Sequence, residues 1–365
     1  MASLCSFDTI YCADSVEFCP HPLATDILVC GTYQLQKPDA SHPTENQSPI
    51  AQRRLGRCYI FSVDNEGVLT ELQRVDLPAI PDMKWSHTYT ETNALFAIAD
   101  AEGSVTLYRW SLEKRELQEV QKIRVRDPTN LCLSLDWSDR RHVSSGAGNS
   151  IVVSSSDGTI SILAKSDTGE MDVALSWKAH EFEPWVATWD YWARDVVYSG
   201  GDDCKLKGWD VREGGSKATF VNNSFDAGVT TIQSHPHTEH MLAVGSYDAT
   251  VRLYDTRKPL TPLLQMNIGG GAWRVKWHPD AAQKDDLLVA CMHGGFKVLR
   301  IAPEISGFAA NEPSGNQGYE YLARFEEDCP SLAYGVDWSF RSDQKEGRLI
   351  AGCSFYDHTV RTWRV

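Results

Sequence analysis

Two kinds of short alternating stretch recur along the chain. The first reads SVEFCPHP (15–22), DMKWSH (82–87), CLSLDWS (132–138), WVATWDYW (185–192), VTTIQSHP (229–236), WRVKWHP (273–279) and YGVDWS (334–339), apolar and polar residues taking turns as in half-buried strands. The second is a small-residue strand, an acidic turn and an alternating strand ending on a bulky residue. Its copies align without gaps as Glu102 to Tyr108, Asp157 to Leu163, Asp203 to Trp209, Asp248 to Tyr254, His293 to Leu299 and Asp357 to Trp363, with a degenerate copy from Leu55 to Phe61.

Closing residues fall about 45 residues apart in most copies, the step of a four-stranded propeller blade. Seven copies predict an all-β, seven-bladed β-propeller of the WD-repeat type, one domain over residues 1–365. The last blade is one outer strand short at Val365, and SFDTIYC (6–12) has the length and alternation to supply it. Ring closure by this N-terminal strand would remove an exposed sheet edge. Two polar, Pro-containing inserts interrupt the repeat, a loop inside blade one at about 34–54 and an excursion between blades six and seven at about 302–330.

Composition narrows the picture. With 42% hydrophobic, 10% aromatic and 23% charged residues the chain has material for a large core and an ordinary surface. The start has no basic segment followed by an apolar run, and no apolar stretch reaches a membrane span, so a protein that is neither exported nor membrane-bound is expected, in the cytoplasm. The 10 cysteines form no C-x-x-C pair and several lie in strands, which fits buried free thiols better than a metal site or disulfide framework. A net charge of −14 argues against nucleic-acid binding and suits a cationic partner, or simply solubility.

Some residues that look catalytic are explained by the repeat. His180, Ser199, Asp203 and Trp209 fit a hydrogen-bonded chain internal to one blade, and His87, His235 and His278 fall in turns after inner strands. Others are not. His293 replaces the turn acid in the one blade that also lacks a closing aromatic, which is either repeat decay or a group titrating near neutrality. Gly270 and Gly271 belong to a three-glycine run before Trp273 and Arg274, either a flexible loop or a place for backbone amides to meet a ligand. Trp185, Trp273 and Tyr334 open inner strands and converge on one end of the channel, where with Glu183 they would suit a quaternary ammonium.

The runs AHEFEPW (179–185), YSGGDD (198–203), GSYD (245–248), GGAWRVKWHP (270–279), ACMHGGFK (290–297) and GCSFYDH (352–358) resemble, in this order and over nearly the whole chain, the diphthine methyl ester hydrolases, or diphthine methyltransferases, of eukaryotic diphthamide biosynthesis. The resemblance implies an esterase that needs no cofactor and acts, as a monomer, on translation elongation factor 2 carrying methylated diphthine on a histidine. Its products would be diphthine and methanol, leaving a carboxylate for later amidation. Ester hydrolysis needs a base or nucleophile and donors for the oxyanion. His293 is the expected base, with Arg274 or the amides of Gly270 and Gly271 as donors, while Cys353 and Ser354 with His358 offer a covalent alternative. A different reading stays open: WDVR (209–212) and YDTR (254–257) resemble boxes of WD-repeat adaptors that bring substrates to cullin-type ubiquitin ligases.

Overall fold

The computed structural model describes residues 3–36, 52–141, 149–308, 318–325, 331–341 and 347–365. They form seven antiparallel sheets arranged as the blades of a propeller, each running from an inner strand at the channel to an outer strand. The inner strands are Ala13–Phe18, Asp82–Tyr89, Cys132–Trp137, Val186–Trp189, Val229–Ser234, Arg274–Trp277 and Ala333–Trp338. Every closing residue of the repeat takes the same register: Phe61 opposite Leu28, Tyr108 opposite Phe96, Trp209 opposite Val197, Trp363 opposite Ile350. All are buried between blades, as are Leu163, Tyr254 and Leu299. Each such side chain contributes about 1.5–3 kcal/mol relative to exposure, which is why the bulky position recurs even where the aromatic does not.

Cys5–Asp8 pairs with the last strand, Cys5 opposite Thr362 and Asp8 opposite Thr359, and so completes blade seven. Phe7 packs edge-on against Phe61 at 4.8 Å, tying the seam to blade one. The closing strand is shorter than the predicted 6–12, because Ile10 takes φ 66° and turns the chain inward. The insert of blade one lies between its second and third strands, where Gln34 and Leu35 pair with Leu55 and Arg54; residues 37–51 fall outside the described ones. The 302–330 stretch is not all excursion. Tyr319–Phe325 is the outer strand of blade six, with Ala323 and Phe325 turned into the core, and a short helix, Pro303–Ser306, precedes it. Its aromatics Tyr319, Tyr321 and Phe325 mark it as a strand despite the Gly- and acid-rich surroundings.

Blade four contains the predicted polar chain. His180 Nδ1 lies 2.8 Å from Asp203 Oδ1 and its Nε2 2.7 Å from Ser199 Oγ, which accepts from Trp209 Nε1 at 2.9 Å. Burial lowers the His180 pKa despite the aspartate beside it, so the ring is a neutral structural link. His235 is likewise a turn brace, its Nδ1 accepting from the amides of His237 and Thr238.

Alternate residues of the inner strands fill the channel with paired charge. Glu17 sits 2.6 Å from Lys276 and 2.9 Å from Lys84, Lys84 is 2.6 Å from Asp82, and Asp82 is 3.4 Å from Arg274. Burial alone would raise the Glu17 pKa, but Lys276 and then Lys84 outweigh it and hold it below its ordinary value. The channel is therefore plugged, and one end of it is left as a cup.

Candidate functional site

That cup is a cavity of about 330 Å³ at the end of the channel where the inner strands begin. Asp14, Pro81, Leu133, Trp185, Trp273 and Tyr334, which sit at or next to the heads of six inner strands, line it, together with Tyr33, Arg54, Glu183, Tyr247 and Phe355. The wall is largely aromatic. Trp273 stacks on Tyr334 with centroids 4.6 Å apart, Trp185 and Tyr247 flank Trp273 at 5.7 and 5.9 Å, and Phe355 backs Tyr334 at 4.6 Å. Trp185 is fixed by its indole N–H, which donates to Asp202 Oδ1 at 2.6 Å. Trp185, Trp273, Tyr334 and Glu183 thus come together in one place.

Arg274 reaches across the floor from blade six to blade two. Its Nη2 donates to the Pro81 carbonyl at 3.2 Å and lies 3.4 Å from Asp82, and its Nη1 donates to the Trp273 carbonyl at 3.3 Å. Five N–H donors on a planar group leave capacity for an oxygen in the cavity.

Asp14 is the residue that sequence reasoning missed. It is buried, lines the cavity, and its Oδ1 has no hydrogen-bond partner. The Trp273 indole N–H is its nearest donor, short of full hydrogen-bond geometry but close enough to favour the ionised carboxyl weakly. Burial pushes the Asp14 carboxyl up to about 8, against the pull of the Arg274 charge and with help from Asp82. A register shift between Ala13 and Ser15 makes Asp14 the extra residue of a bulge, a device that re-aims a side chain out of the ladder. The alternating run was read from Ser15, one residue too late; an acid directly ahead of that run was the available signal.

The remaining predicted residues lie outside the cavity lining. His293 is exposed on the turn between the second and third strands of blade six, at the cavity end of the molecule. Gly270 and Gly271 pack behind the wall: a Cβ at Gly270 would overlap the Cys291 carbonyl oxygen, and one at Gly271 would come within 2.8 Å of Met292 Sδ and 3.1 Å of Tyr247. Close packing of the loop on the turn that carries His293 accounts for both glycines. Cys353 is wholly buried, its sulfur 3.2 Å from the Gly335 amide nitrogen, and Ser354 is buried beside it in the same strand. His358 sits on the following turn with φ 58°. Cys353 and Ser354 are thus closed off in the strand, while His358 is half-buried on the turn after it.

A family model described as WD domain, G-beta repeat matches residues 215–255. Curated proteins named diphthine methyltransferase are similar over almost the whole chain. The Mus musculus protein is 40% identical over 342 residues, 91% of this chain and 68% of its own length, and the Homo sapiens protein 40% over 365 residues, 94% and 76%. A diphthine methyltransferase homolog of Dictyostelium discoideum is 33% identical over 384 residues, covering 97% and 96%. Among solved structures, a chain of the crystal structure of the mitotic checkpoint complex superimposes with TM-score 0.68 over 99% of this chain and 93% of that one, at 14% identity, a likeness of fold alone.

Proposed function

The chain belongs to the diphthine methyltransferase family, and from that membership we propose that it hydrolyses the methyl ester of methylated diphthine on translation elongation factor 2, releasing methanol and leaving the diphthine carboxylate. The aromatic cavity is the observation that carries this reading. A trimethylammonium group has no N–H to donate, so aromatic faces are what hold it, and four rings surround the cavity around Trp273. At about 330 Å³ the space is near the small end of ligand sites, the size for one modified side chain rather than a folded surface. Arg274 supplies donors for the carbonyl oxygen as it gains charge. The same reading has the protein working in the cytoplasm, as a monomer and without a cofactor.

Purified protein incubated with methylated elongation factor 2 is expected to release methanol over many turnovers. Stoichiometric binding without methanol would overturn the reading in favour of a non-catalytic adaptor. One observation favours that second reading. Arg212 and Arg257, 68% and 55% exposed, pair with Asp210 and Asp255 at 2.5 and 2.8 Å. Both pairs follow third strands and so stand at the opposite end from the cavity, where a ubiquitin-ligase partner would leave the cavity open.

A further inference from the structure

We propose that Asp14 is a catalytic residue of the hydrolysis inferred above, on which this assignment rests, acting as the base that takes a proton from the attacking water. Three observations converge on it. The bulge at Ala13 and Ser15, of a kind found also in the inner strands of blades three, five and seven, turns its side chain out of the ladder, the carboxyl is buried in the cavity wall beside Arg274, and Oδ1 meets only the Trp273 indole N–H, short of full geometry, while Asp82 and Asp337 of the channel are paired or hydrogen-bonded.

The step balances on the residues present. Asp14 removes a proton from water as its oxygen bonds to the acyl carbon, and the carbonyl pair moves onto oxygen beside Arg274. When that pair returns, the bond to the methoxy oxygen breaks, and the proton held by Asp14 leaves with it as methanol. The product acid then ionises to the carboxylate.

Charged neighbours of Asp14 are Arg274 and Asp82; Arg54 and Glu183 complete the charged lining of the cavity. The phenols of Tyr33, Tyr247 and Tyr334 and the thiols of Cys12 and Cys30 are all pushed up by burial and stay neutral. With burial pushing the Asp14 carboxyl up to about 8, the basic form would grow about tenfold per pH unit below that value. A trimethylammonium cation in the same cavity favours the ionised form and so primes the base as the substrate binds.

The test compares wild-type protein and Asp14→Asn for methanol release, for binding of methylated elongation factor 2 and for melting temperature. Expected are a loss of turnover of about 100-fold or more with binding kept, and a wild-type kcat/KM that rises through pH 6 to 8 and then levels, after subtraction of the protein-free rate. A folded Asp14→Asn protein with turnover within tenfold of wild type overturns the assignment. Should that variant not fold, the wild-type profile decides: a flat kcat/KM from pH 6 to 9 overturns it and the rise supports it. Wild-type protein that releases no methanol overturns the hydrolysis reading itself and the role of Asp14 with it.

Discussion

Blade four and the cup bordered by blades six, seven and one each set a buried aspartate near a tryptophan, and they surround it differently. In blade four Asp203, His180, Ser199 and Trp209 close on one another through contacts of 2.7 to 2.9 Å. In the cup Asp14 Oδ1 and the Trp273 indole N–H approach without full hydrogen-bond geometry and both face the cavity, whereas Asp203, whose second oxygen is also unbonded, faces none. A repeat protein has every reason to complete its internal polar chains, since each buried group left open costs about 1–3 kcal/mol. Only the aspartate in the cup can put its open oxygen to use on a ligand.

Crossing the two regions by mutation separates these roles. Asp14→Asn should reduce methanol release by about 10²–10⁴-fold with the fold intact. His180→Ala should do the reverse, lowering unfolding free energy by about 2–3 kcal/mol through the stranded Asp203 and Ser199, with turnover per folded molecule unchanged. Denaturant melts and a methanol assay on both variants read the contrast, and equal effects on both readouts would erase it. Stability should also depend on pH through Asp14. Its folded carboxyl is raised to about 8, so between about pH 4 and 8 the folded state holds a proton that the unfolded state has lost. Stability is therefore greatest at the acid side and falls by about 1.4 kcal/mol per pH unit across that window. Asp14→Asn should remove that part of the slope and be the more stable protein at pH 8. Trp273→Ala should raise KM about tenfold with a smaller change in kcat, as loss of a cation–π face requires; a fall in kcat alone would move the cation elsewhere. The smallest effect is expected at His293, exposed and off the cavity, where alanine should change turnover by about twofold or less.

The ring was legible because each blade repeats the same compromise of alternation, turn acid and bulky close, and seven copies leave little freedom of register. Trp185, Trp273 and Tyr334 were legible as a group for the same reason, all three opening inner strands. Asp14 was hidden by the bulge, which breaks the two-residue period at the very residue of interest. Deviation from the repeat pointed to His293, Gly270 and Gly271, which lie outside the cavity lining. The glycines answer to a backbone packed on the next turn, a contact between segments that periodicity does not encode.

The seam has a consequence for timing. Phe18 donates its amide to Asp337, 319 positions away, and Cys5–Asp8 has no sheet to join until Thr359–Arg364 exists. Asp14 and Tyr334 sit on the two sides of that seam, so the cup has no complete wall on a nascent chain. A fragment that lacks Thr359–Arg364, however well folded in its middle blades, leaves Cys5–Asp8 unpaired and the two sides of the cup unjoined.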